Sequence, residues 1–136
     1  AVLLDQAWHR LGVDEVPSSV DDVAAFESEA LTRAGIASPW IPPRYRTTYF
    51  DHIFSSDYSA GYYSYLWSEA LDADIVDWFR TEGACDDDGG LNRTAGEAMR
   101  RSILSRGNSR NPVESFEELR GRSVDTAALL RRRRLV

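Results

Sequence analysis

Phe50-Asp-His-Ile-Phe-Ser-Ser-Asp-Tyr-Ser-Ala-Gly-Tyr-Tyr-Ser-Tyr-Leu-Trp67 leads a lone histidine into a run of regularly spaced tyrosines. The spacing predicts a long helix from about Tyr58 to Glu82, with bulky Leu66, Ile75, Trp78 and Phe79, acids at Glu69, Asp72, Asp74 and Asp77, and Gly83 as its stop. On such a helix Tyr58, Tyr62 and Tyr65 stand at i, i+4 and i+7, so three phenols project from nearly one side, with Gly61 as a hinge between them. Phenol hydroxyls both donate and accept hydrogen bonds, which suits a polar substrate or a developing oxyanion. Aromatic residues at helical spacing suit a core equally well, and spacing alone does not separate the two.

Outward from this stretch the pattern stays helical. Leu3, Leu4, Ala7, Trp8 and Leu11 form a stripe on a helix over residues 1–11, closed by Gly12, with His9 beside the stripe at the helix surface. Pro17 breaks a connector; Ser18 or Ser19 caps a second helix through Val23, Phe26, Ala30 and Leu31, which Gly35 stops. Residues 36–48 hold three prolines and no helical period, an ordered irregular segment that Trp40 and Tyr45 are expected to pin to the core. Arg44 or Arg46 would present a carboxylate-binding fork from it, unless paired with a neighbouring acid.

Beyond Gly83, Asn92 or Thr94 caps a helix through Ala98, Met99, Ile103 and Leu104 to Gly107. A loop containing Pro112, a short helix with Phe116 and Leu119, a break at Gly121 and a last helix from about Val124 complete the chain. No strand alternation of any length interrupts this, so residues 1–136 read as one all-α domain with short connections.

The 136 residues include 43% hydrophobic and 11% aromatic side chains, enough for a core. The net charge is −6, and every one of the sixteen basic residues is arginine. Acidic balance argues against a nucleic-acid partner, and the run Arg131 to Arg134 reads as a solvated helix end whose cations complement the helix dipole. No apolar run approaches the roughly 20 residues needed to span a bilayer, so a soluble cytoplasmic protein with no membrane partner is expected. The single Cys85, set among Asp86, Asp87 and Asp88, excludes an intrachain disulfide, and the carboxylates oppose thiolate formation.

Two distant histidines, one cysteine and no His-Glu-x-x-His argue that this chain alone binds no metal. The Asp-Asp-Asp-Gly-Gly run lacks the alternating ligand spacing of a calcium loop and reads as a solvated turn. There is no nucleophile elbow and no phosphate loop. What remains is a set of donors, His52 with Tyr58, Tyr62 and Tyr65.

Taken with Pro42-Pro-Arg-Tyr-Arg-Thr-Thr-Tyr-Phe50 upstream and Ile103-Leu-Ser-Arg-Gly-Asn-Ser109 downstream, this run resembles the C-terminal part of the thimet-oligopeptidase-like zinc metallopeptidases, most of all their peptidyl-dipeptidase and oligopeptidase A branch. The likeness extends from Leu3 to the terminal Leu129-Leu-Arg segment. It implies the helical C-terminal portion of a zincin-like catalytic domain, in which two halves of a larger enzyme enclose a channel. Zinc in the complete enzyme would sit on a His-Glu-x-x-His helix preceding the region present here, where a zinc-activated water attacks the peptide carbonyl. By position Tyr65 resembles the phenol that donates to the oxyanion, and His52 the imidazole beside it that hydrogen-bonds the substrate. Tyr58 resembles a loop tyrosine that closes on bound peptide, and Tyr62 one lining the primed side. Relatives place glycines where this chain has Ser55, Ser56 and Asp57, which should stiffen the hinge.

The expectation is therefore a substrate-binding part of an oligopeptidase or peptidyl-dipeptidase. It would be inactive alone, partnered by short peptides and by the missing N-terminal zinc-bearing part, and prone to form a homo-oligomer through uncovered apolar surface. Its start at Ala1, in what reads as mid-helix, fits a trimmed piece of something longer. The alternative is a free-standing, non-catalytic helical module that binds peptides or a partner protein with the same tyrosine face.

Overall fold

The computed structural model describes residues 1–81 and 92–136, and among them every regular element is helical. The expected acidic turn at residues 83–90, Cys85 within it and the Gly83 stop lie outside the described residues. The chain forms two compact units, Ala1–Ser64 and Tyr65–Val136.

In the first unit, α1 spans Val2–Trp8 and buries Leu4 completely, while Leu3 is half exposed. α1 is shorter than the stripe to Leu11 suggests, and Gly12 does not close it. The Glu15 carboxylate reaches back to the Gly12 N–H at 2.7 Å, which makes extended Gly12 the cap of a 3₁₀ turn at Val13–Glu15. α2 (Val20–Arg33) opens on Ser19, whose hydroxyl accepts from the Asp22 N–H at 3.1 Å. It closes at Gly35, whose φ of +70° only glycine adopts at little cost.

The two helices meet where Trp8 and Phe26 tilt together at 4.4 Å. The Trp8 indole donates to Thr47 Oγ1 at 2.9 Å, and the Thr47 N–H donates to the buried Glu27 carboxylate at 2.9 Å, with Arg46 3.6 Å away. These contacts anchor the irregular segment. Trp40 does not, since it is 89% exposed; the Trp40 and Ile41 N–H groups turn back onto Ser38 Oγ, a local turn that leaves both side chains outside. Tyr45 is the aromatic anchor, stacked on buried Phe50 at 4.8 Å. A 3₁₀ turn at Thr47–Tyr49 then leads into α3 (Asp51–Phe54), which buries Ile53.

In the second unit α4 runs Ser64–Thr81. Its buried residues are Ala70, Ala73, Asp74 and Phe79 rather than the bulky side chains at large, and Leu66 is 44% exposed. Small residues there let α7 (Ala127–Arg132) approach closely, so that Ala128 and Leu129 pack on Ala70 and Ala73 beside Val124. Asp74 is fully buried and holds the chain leaving α6 (Pro112–Arg120): Arg120 Nε at 2.9 Å, two Arg122 nitrogens at 2.7 Å and the Asp125 N–H at 2.7 Å.

Burial works to raise the Asp74 pKa, but the hydrogen bonds from Arg122, the Asp125 N–H and Arg120 together carry it below its ordinary value. Pro112 is the first residue of α6 instead of a loop residue, because that position needs no N–H and Asn111 caps it through the Val113 N–H at 2.9 Å. α5 (Arg93–Met99), capped by Asn92, widens into a π-helical turn at Arg100–Leu104 before Gly107.

The terminal arginines are exposed, as at a solvated helix end, and three of them are also paired. Arg131, Arg132 and Arg133 pair with Asp77, Asp72 and Glu69, one turn after another along α4. Each pair is well exposed and contributes at most about 1 kcal/mol.

Candidate functional site

The tyrosine stretch is where the structure departs furthest from the helical reading. α3 stops at Phe54 and α4 starts at Ser64, so residues 55–63 form turns, and Tyr58 and Tyr62 lie outside any helix. The i, i+4, i+7 row therefore does not exist; of the three, Tyr65 alone stands on α4.

The break sits at Ala60, whose φ is +55°, whereas Gly61 adopts no such conformation and a Cβ there would meet nothing closer than 3.5 Å. The cause lies in α1. The buried Asp5 carboxylate accepts the Ala60 N–H at 2.8 Å and the Tyr62 N–H at 2.9 Å, donors that a continuous helix would have given to its own carbonyls. The serines of this turn also act on the backbone: Ser55 Oγ donates to Asp51, Ser56 Oγ to the His52 carbonyl, and Ser59 Oγ to the Ile53 carbonyl at 2.7 Å.

This turn brings three of the sequence-derived site residues together. The half-buried His52 ring lies 5.6 Å from Tyr45, 6.1 Å from Tyr58 and 5.9 Å from Tyr62. Tyr62 presents its edge to Phe50 at 5.0 Å, and its hydroxyl is hydrogen-bonded with Tyr45. Burial raises the Tyr62 pKa first of all, and the Tyr45 hydroxyl adds to this while Arg44 works against it, so Tyr62 stays a neutral phenol at any ordinary pH.

Arg44 is exposed, its guanidinium 5.4 Å from the centre of the Tyr45 ring. Arg46 differs, since it spends its charge near Glu27. Tyr65 belongs to the second unit, on the first turn of α4, and is 45% exposed. The group in the first unit thus offers an imidazole, phenols and a guanidinium, a set that binds amides and carboxylates and contains no strong nucleophile.

The residue that the sequence reading passed over is Asp5, which looks like any acid on a helix surface; Tyr45 was read as an anchor of the irregular segment but not as a neighbour of His52.

Among the described residues no three histidine, cysteine, aspartate or glutamate side chains gather as a metal site. His9 Nδ1 lies 2.8 Å from the Asp5 carboxylate, whose oxygens are already engaged with the backbone, and His52 stands among aromatic rings. These residues do not fit zinc. Among the described residues no helix is long and apolar enough to cross a membrane.

The profile of Peptidase family M3 matches residues 1–135. The chain is 42% identical over 135 residues to a dipeptidyl carboxypeptidase of Escherichia coli (strain K12), covering 99% of this chain and 18% of that protein. It is 42% identical over 123 residues to oligopeptidase A of Haemophilus influenzae, covering 90% of this chain and 16% of the relative. Against the organellar oligopeptidase A of Arabidopsis thaliana the identity is 34% over 94% of this chain and 15% of the relative. The chain spans under a fifth of the length of these curated relatives.

Proposed function

This chain belongs to peptidase family M3, and on that premise we propose that it is the substrate-binding and transition-state-stabilising C-terminal part of a zinc-dependent cytoplasmic peptidase acting on short peptides. The observation that carries the reading is the ring cluster around His52, where Tyr45, Tyr58 and Tyr62 stand within 6.1 Å. Aromatic faces grip a peptide's apolar surface while hydroxyls and the imidazole reach its amide groups.

Each group has a task in this proposal. His52 hydrogen-bonds a substrate amide. Tyr58 closes on the bound peptide, and Tyr62 lines the primed side as a neutral donor. Arg44, among the described residues not paired with a carboxylate, takes the substrate's terminal carboxylate in a two-pronged contact. Relatives bear the name dipeptidyl carboxypeptidase, which fits substrates read from that end. Tyr65 donates to the scissile carbonyl oxygen as negative charge develops on it, an interaction stronger in the transition state than in the ground state.

The metal belongs to a part of the enzyme other than the residues described, so no hydrolysis is expected from these 136 residues. Peptide cleavage assays and metal analysis on the purified chain test this directly. The expected result is no turnover and no bound zinc; stoichiometric zinc with hydrolysis would overturn the proposal.

A further inference from the structure

We propose that Asp5, supported by Gln6 and His9, is a positioning residue that presets the peptide-binding tyrosines, an inference that rests on the function proposed for Tyr58 and Tyr62. Asp5 is wholly buried, more than fifty residues from the turn it serves, and spends both carboxylate oxygens on that turn. Oδ1 takes the Ala60 N–H at 2.8 Å and Oδ2 the Tyr62 N–H at 2.9 Å. The other end of the same residue is held by Gln6, whose side-chain amide donates to the Ala60 carbonyl at 2.8 Å. α1 therefore grips one residue from both ends, and that residue is the non-glycine held at φ +55°.

Left-handed backbone at an alanine is unfavourable and persists where surrounding bonds impose it. Here the imposing bonds are the Asp5 and Gln6 contacts. His9 closes the other side of the arrangement: its Nδ1 lies 2.9 Å from the Asp5 backbone carbonyl, 2.8 Å from Asp5 Oδ1 and 3.3 Å from the Ala60 nitrogen, so the imidazole packs against both the carboxylate and the turn it holds.

A buried carboxylate costs desolvation that an apolar side chain avoids. What it supplies instead is two directed acceptors, aimed at the turn between Tyr58 and Tyr62. The Tyr62 N–H is itself one of the two bonded groups, so the Tyr62 phenol beside His52 is set from α1, and Tyr58 is set by the fold of the same turn. Asp5 touches no substrate; its effect on binding runs through those phenols.

Two readouts test this. In this chain, amide hydrogen exchange at Ala60 and Tyr62 should speed up at least about tenfold in Asp5→Asn, which turns one acceptor into a donor, while α2 amides keep wild-type protection. In the complete peptidase, Gln6→Ala should raise KM for a short peptide by roughly tenfold with Tm unchanged, a smaller effect than the roughly 10² of a full misplacement.

Unchanged exchange at both amides in Asp5→Asn would overturn the inference. So would a wild-type KM in Gln6→Ala, a variant that leaves the buried carboxylate intact and therefore also serves if Asp5→Asn does not fold. Tyr58→Phe and Tyr62→Phe controls separate the two levels. If neither moves KM, the peptide-binding reading fails; if they move it and Gln6→Ala does not, the positioning role fails.

Discussion

Two buried aspartates do different work by the same means, which is to offer a fully engaged carboxylate to groups distant in sequence. Asp5 holds a turn, and Asp74 holds Arg120, Arg122 and the backbone at Asp125. Neither is distinguishable from a surface acid by local pattern, because the partners that make it buried lie about fifty positions away. His52 and the tyrosines were legible, since imidazole and phenol declare their chemistry by type.

For Asp74 the sign of the pH effect follows from its lowered pKa. A carboxylate depressed on folding stabilises above its unfolded value, 3.8, and that contribution is lost as pH falls through the lower folded value. Denaturant unfolding between pH 5 and pH 2.5 should show stability falling towards the acid end, with a shallower slope in Asp74→Asn. Asp74→Ala should cost about 3–5 kcal/mol at pH 7, because it leaves the buried Arg120 guanidinium without its carboxylate. A loss below about 1 kcal/mol in the same measurement would show that Arg120 finds other compensation.

Helix existence was readable at the level of elements, and helix limits were readable where caps set them. Ser19, Gly35, Asn92 and Gly121 mark ends as their side chains or lack of them demand. The boundary that moved furthest is the start of α4, placed six residues early because tyrosines at helical spacing look alike whether or not the backbone between them is helical. The override came from Asp5, outside the window any local pattern covers.

This gives a paired prediction at the turn. Ala60→Gly removes a left-handed alanine and should stabilise the chain by about 1 kcal/mol. Gly61→Ala, where φ is ordinary and the added Cβ meets only normal contacts, should stabilise by about 0.4–1 kcal/mol through the unfolded chain. Thermal melts decide both, and a clear loss of stability in either variant would contradict the assigned backbone.

At the scale of the whole molecule, the proposed function accounts for apolar side chains that stand exposed in each unit. Trp40 is 89% exposed and Ile41 75%, while consecutive Tyr65, Leu66 and Trp67 on α4 are 45%, 44% and 46% exposed. Apolar groups presented all round a helix turn are unusual on a surface that faces only water. In the proposal they meet the zinc-bearing part of the enzyme, and in the isolated chain they should drive self-association. Sedimentation velocity over a concentration series should therefore show species larger than a monomer, and a clean monomer throughout would contradict that role for the exposed apolar face.

The central claim is that this part of the chain supplies the donor that stabilises the transition state, and Tyr65→Phe in the complete peptidase tests it most directly. The account predicts a kcat lower by roughly 10²–10³ with KM little changed, since the lost hydrogen bond strengthens only as the carbonyl oxygen gains charge. A Tyr65→Phe enzyme that turns over at the wild-type rate would contradict it.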